Sequence, residues 1–299
     1  MDFNYGTELL ELCEKNQLPI SEVMKKREAE FSQISEEEVE RKMKKSLEIM
    51  RRSAKIPLEE PVASVGGLIG GEAQKLSRRA KSGKSVCGGI LNKAITYAMA
   101  VLEVNASMGV IVAAPTAGSS GVIPGVLLAL EEEYDLDERT VLNGLYTAGA
   151  VGYLLMRNAS VAGAEAGCQA EVGAASAMAA AAAVEMMGGS PVQCLDAASL
   201  AISNLLGLVC DPIAGLVEYP CQNRNSVGAG NALICAEQVL AGIKALIPFD
   251  EMADSMYHVG RSLPFELRES ALGGCAATPT GCRRSCEIFG SCPDGRGRY

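Results

Sequence analysis

From residue 93 to about 247 the sequence consists largely of Ala, Gly, Val and Leu, with polar residues scattered singly among them. Runs such as ASAMAAAAAVEMM carry few β-branched residues, so propensity favours helix, and their small side chains let helices approach closely. A doubly wound α/β fold would need several Val- and Ile-rich strands at regular spacing. Only MGVIVAAP, residues 108–115, resembles one, and that run alone does not distinguish a short strand from a buried helix. No repeat at a fixed period and no long heptad pattern is present. The prediction is an all-α fold, with a compact multi-helical domain preceded by an amphipathic helical segment.

The segment at 1–58 is charged, with apolar residues at helical spacing in LLELCEK and through Val39, Met43, Leu47 and Met50. Ser35 and Glu38 form a capping-box pattern, and Ile34 with Val39 supplies a hydrophobic staple, so a helix is expected from Glu36 to about Ala54. This segment is expected to pack on its own core rather than on a partner. Residues 59–92, rich in Gly, Ser and Lys, read as a turn-rich approach to the main body, which extends to 272. Residues 273–299 read as an irregular, cysteine-rich tail. At 299 residues the chain sits near the upper size of one hydrophobic core. A net charge of −9 repels phosphate backbones, which argues against nucleic acid as a partner. There is no run of 18 apolar residues and no signal-peptide pattern at the start, so no membrane association and a cytoplasmic location are expected.

Eleven cysteines are many for a reducing compartment. Because the number is odd and the chain long, metal ligation or thiol chemistry weighs more than a disulfide framework. Cys13, Cys87, Cys194 and Cys235 stand in apolar helical contexts and are expected to act as small hydrophobes.

Polar groups inside an apolar body carry information, because burying them costs free energy unless they bind each other or a ligand. Three segments qualify. Pro115 to Gly121 is a loop of small residues and hydroxyls suited to anion binding, or a plain glycine-rich turn. Arg157 to Gly173 contains Cys168 between two carboxylates, Glu165 and Glu171. Cys210 to Asn225 contains Cys210 and Cys221, each next to a helix-breaking proline, Pro212 and Pro220, that places its thiol at a helix terminus. By spacing alone Cys168, Cys210 and Cys221 match no zinc pattern, since they form no C-x2-C pair and the single histidine, His258, is remote. Packing thiols and a three-thiolate site both remain open, and the latter would suit an iron–sulfur cluster that keeps one iron free for substrate.

PTAGSSGVIPG, NASVAGAEAGCQAEVG and CDPIAGLVEYPCQNRN together resemble the α chain of the iron–sulfur-dependent L-serine dehydratases, in its two-chain form, from about Lys84 to Gly281. The resemblance implies a 4Fe-4S cluster held by Cys168, Cys210 and Cys221 in a helical catalytic domain, with one iron not bound by a protein thiolate. It also implies a lyase that converts L-serine to pyruvate and ammonia, the iron acting as Lewis acid on the leaving hydroxyl. A β chain is the implied partner, and a hetero-oligomer the implied assembly. In that picture Thr116, Ala117, Gly118 and Ser119 of the loop, with Asn158 and Ser160, are the candidates for holding the amino-acid substrate. The catalytic base stays unassigned, since His258 lies in a helical-looking segment and the family's candidate histidine belongs to the β-chain region.

Other readings compete. A relative acting on L-cysteine differs by one heteroatom in its substrate, a cluster-bearing sensor would bind iron without turnover, and a purely structural helical protein would need no metal. Lys84 in SGKSVCGG would suit a pyridoxal phosphate Schiff base, but an α/β scaffold for that cofactor is missing. Cys275, Cys282, Cys286 and Cys292 depart from the family's pattern, and an extra cluster ligand or plug, a separate metal site, and idle thiols are the readings of them.

Overall fold

The computed structural model describes residues 1–290. Three helices open the chain: α1 (Gly6–Asn16), α2 (Ile20–Ser32) and α3 (Glu36–Glu59). The Ser35 side chain caps α3 by accepting the Glu38 N–H at 3.3 Å. Glu38 does not reach back as a full capping box would, because its carboxylate is engaged by Arg41 at 2.6 and 2.8 Å. The helix continues five residues past the expected end at Ala54 and runs through Pro57. That proline removes a single hydrogen bond near the end, while its ring is buried and the Ile56 carbonyl accepts the Glu60 N–H at 3.1 Å.

This N-terminal segment lies on the body of the protein. Helix α3 is tied there by Arg51, which pairs with Glu131 and with Glu138, and by Lys55, 3.0 Å from Glu132. The Arg27 guanidinium of α2 lies 3.9 Å from the Tyr153 ring centroid and pairs with Asp2 at 3.0 Å. Met24 and Met43 pack against the core and Met50 is inside it.

The approach region contains a helix of its own, α4 (Glu72–Lys81), where a turn-rich segment was expected. Then follow α5 (Gly88–Ala106), α6 (Val122–Tyr134), α7 (Glu138–Asn158) and a short α8 (Gly163–Ala166). Next come α9 (Ala174–Met186), α10 (Pro191–Ser203), α11 (Cys221–Leu240) and α12 (Phe249–Ser262). Helix α9 is the alanine-rich run, and it is buried on nearly every side. A helix without a polar face belongs at the centre, and α9 is packed by α6, α7, α10 and α11. Its methyl side chains are what allow four neighbours to close on one helix.

Among the described residues there is no β-strand, and the fold is all-α as predicted. The MGVIVAAP run is neither strand nor buried helix. It is an irregular connection in which Met108 and Val110 are exposed while Ile111, Val112 and Ala114 pack against the core. Its β-branched residues had no second strand to pair with in a helical body. The tail also differs from the irregular segment expected, because Pro279–Phe289 form α13, capped by Thr278, whose hydroxyl accepts the Gly281 N–H at 3.0 Å. A Thr followed directly by Pro is a helix-start signal, obscured in the sequence by the density of cysteines around it. Cys292 lies outside the described residues. No helix among those described is long and apolar enough to cross a membrane.

Candidate active site

Cys168, Cys210 and Cys221 are all buried, at 2%, 3% and 6% exposure, and each comes from a different break in the helical scaffold. Cys168 precedes a π-helical turn, Gln169–Gly173. Before it, Gly167 adopts φ +74°, and a side chain there would press on the Leu208 carbonyl, so this turn requires glycine. Gln169 then locks the turn by donating to the Met256 carbonyl and accepting the Gly207 N–H, both at 2.8 Å. Cys210 is held from both sides by an isolated bridge, its N–H donating to Leu267 at 2.8 Å and its carbonyl accepting from Glu269 at 2.7 Å. Cys221 is the first residue of α11, directly after Pro220, so both prolines interrupt helix where the sequence indicated.

Between these segments lies Glu171. Its carboxylate and the sulfurs of Cys168 and Cys210 all lie within 4.8 Å of one another. Thr116 Oγ1 donates to one Glu171 oxygen at 2.7 Å, and the Cys210 thiol lies 3.7 Å from the other. A Cβ on Gly163 would sit 3.2 Å from the Cys210 sulfur and against the Glu171 carboxylate, so a larger residue would fill the space where thiol and carboxylate meet. Asn225 closes the other side. Fully buried, it accepts the Gly121 N–H at 3.0 Å and donates to the carbonyls of Gly118 and Cys221 at 2.7 and 2.9 Å, fastening the Pro115–Gly121 loop to the helix that begins with Cys221.

The electrostatics follow from this crowding. The Cys210 thiol is held far above its ordinary pKa by the neighbouring Cys168 thiol, then by burial and by the Glu171 and Cys221 charges. Burial pushes Cys221 up, and Cys168 and Glu171 add to it. Burial likewise raises Glu171, against the hydrogen bond from Thr116. Cys168, Cys210 and Glu171 share one space and Cys221 lies within electrostatic reach of it, so negative charge on these groups together would be offset by a positively charged group. Soft sulfur donors suit iron or an iron–sulfur group, and the residues present fit one.

The candidate residues divide. Thr116 and Gly118 border the thiol site through Glu171, Ala117 is exposed, and Ser119 is buried in the turn where Thr116 N–H meets its hydroxyl at 3.4 Å. Asn158 spends a donor on the Asn4 carbonyl at 2.7 Å, and Ser160 donates to Glu165 at 2.7 Å, so these hydrogen bonds engage both side chains away from the thiols. Glu165 therefore belongs to Ser160, and Glu171 alone of the two flanking carboxylates joins the site. Asn225 was missed as a site residue, although an Asn one helical turn after a cysteine that opens a helix was the available signal. Glu218 was missed too: 2% exposed, it accepts Ser64 Oγ, Gly66 N–H and Leu68 N–H at 2.7, 2.6 and 2.9 Å and anchors the 64–68 turn beside α11.

Cys13, Cys194 and Cys235 are buried in the core, as small hydrophobes would be. Cys87 is not. It is exposed just before α5, because the apolar face of that helix starts later, at Ile90. Lys84 is exposed on the same turn, and His258 stands on the surface of α12, 3.4 Å from Asp254.

Residues 15–276 match the family model described as serine dehydratase alpha chain. The chain is 48% identical to the probable L-serine dehydratase alpha chain of Bacillus subtilis, over 96% of both chains. It is 47% identical to the L-serine dehydratase alpha chain of Peptoniphilus asaccharolyticus, covering 93% of this chain and 95% of that one. Against the L-serine dehydratase TdcG of Escherichia coli identity is 34%, and the match covers 92% of this chain but 62% of that protein.

Proposed function

The chain belongs to the serine dehydratase alpha chain family, and from that membership we propose that it is the cluster-bearing part of a lyase converting L-serine to pyruvate and ammonia together with a β chain. The observation that carries this reading is the meeting of the buried Cys168 and Cys210 thiols with Glu171, next to a loop of hydroxyls and small residues, with Cys221 buried close enough to act on them electrostatically. Relatives that are called alpha chains and match end to end, beside a longer single-chain relative matched over 62% of its length, support a second component supplied separately.

Cys168, Cys210 and Cys221 would hold a 4Fe-4S cluster. When bound, it would supply a Lewis-acidic iron that polarises the substrate hydroxyl as a leaving group. The protein's own residues do the rest of the binding. Thr116 and the Gly118 region of the loop lie at the rim, placed to bind the substrate carboxylate or ammonium. Asn225 holds that loop at a fixed distance from Cys221, so that substrate and thiol site keep one geometry. Burial raises the pKa of Glu171, so this carboxyl resists adding negative charge to a space already lined by sulfur.

The test is pyruvate formation from L-serine by the anaerobically purified chain combined with its β chain. Turnover on L-serine that is lost when Cys168→Ser replaces the natural chain is the expected result. Bound iron with no pyruvate would instead make this a sensor or binding subunit, and preference for L-cysteine would move the substrate assignment.

A further inference from the structure

Arg224 stands on the helix that Cys221 opens and holds the segment that bears Cys210, and nothing proposed so far uses it. It lies on α11 three residues after Cys221. Its Nη1 donates to the Val209 carbonyl at 2.7 Å, and its Nη2 lies 2.7 Å from Asp211 Oδ1, so it grips the residues on either side of Cys210. The same guanidinium lies within electrostatic reach of the Cys168 thiol. Its side chain is 15% exposed and that of Asp211 3%, and the second Asp211 oxygen accepts the Cys275 N–H at 2.6 Å. A planar fork that reaches two acceptors at once while presenting positive charge to a third group is specific to arginine. A buried ion pair is weak evidence for stability as such, and a hydrophobic pair would fill the same volume.

We propose that Arg224 is the positioning residue of the three-thiol site, fixing the Cys210 loop against the start of α11 and offsetting sulfur charge at Cys168. This rests on the cluster reading above. Partners of this kind set metal retention through the ligands they orient, with effects of about 10- to 100-fold on removal. Lysine at 224 would keep the charge but reach only one of the two acceptors, and glutamine would lose the charge.

The test uses the anaerobically purified full-length chain in natural, Arg224→Lys and Arg224→Gln forms. Three quantities are read: the rate of iron loss to excess chelator, the reduction potential of the bound cluster, and the urea midpoint of the metal-free chain. Arg224→Gln is expected to lose iron about 10- to 100-fold faster, with a more negative potential, and Arg224→Lys to fall between it and the natural chain. If the glutamine form does not fold, the lysine form decides, with iron loss about tenfold faster at an unchanged urea midpoint as the supporting result. Iron loss and potential unchanged in both variants would overturn the proposal and leave the cluster reading standing. Faster loss that merely follows a lowered urea midpoint, at unchanged potential, would assign Arg224 to the fold alone and overturn it as well. A natural chain that binds no iron would overturn both readings together.

Discussion

Asn225 shows how much of the site rests on single side chains. Its amide makes three hydrogen bonds at full burial, so Asn225→Ala strands the Gly118 carbonyl and the Gly121 N–H and takes a second bond from the Cys221 carbonyl. The expected cost is about 1–3 kcal/mol, read as a lowered urea midpoint of the metal-free chain. Glu103 gives a pH-dependent counterpart. It is fully buried on α5, accepts the Ala73 N–H and the Gln222 side-chain N–H, both at 3.0 Å, and its pKa is raised above the ordinary 4.5 by burial. Its proton is thus bound more tightly in the folded chain than in the unfolded one. The associated stability is complete below 4.5 and is lost as the pH rises through the elevated native value. Glu103→Gln, neutral throughout, is expected to flatten the fall in urea midpoint between acid and neutral pH; an unchanged slope would rule this out. Glu171 was visible as a carboxylate near Cys168, but its place between Cys168 and Cys210 was not, because that depends on a π-helical turn that no periodicity announces.

Helices were legible where local chemistry decides them. Ser35 marked the start of α3, and Ser35→Ala is expected to cost about 1 kcal/mol, measurable as a small fall in thermal midpoint with the site intact. The end of α3 was not legible, since tertiary burial of Pro57 outweighs its missing donor. The all-α class followed from the alanine-rich run, whose small side chains serve a central helix better than a sheet. By contrast MGVIVAAP had strand-like composition and no strand to join, and its conformation is set by the neighbours it connects. The helices at Glu72–Lys81 and Pro279–Phe289 were hidden by glycine and cysteine density, which masked ordinary helix-start signals.

At the scale of the whole molecule, one helical body brings together three breaks 42 and 11 residues apart in sequence, at Cys168, Cys210 and Cys221. The spacing between them could not predict this meeting, because it is made by α9, α11 and α12 packing around the Gln169 turn. Carrying negative charge on buried thiols and a carboxylate together is unfavourable without a compensating group, and the proposed function depends on that group being present. Iron and acid-labile sulfide per chain, measured after anaerobic purification of the natural protein and its Cys168→Ser, Cys210→Ser and Cys221→Ser variants, address this directly. About four of each in the natural chain, lost in all three variants, is the predicted result. Absence of iron from the natural chain even after reconstitution, or iron retained in all three variants, would contradict it.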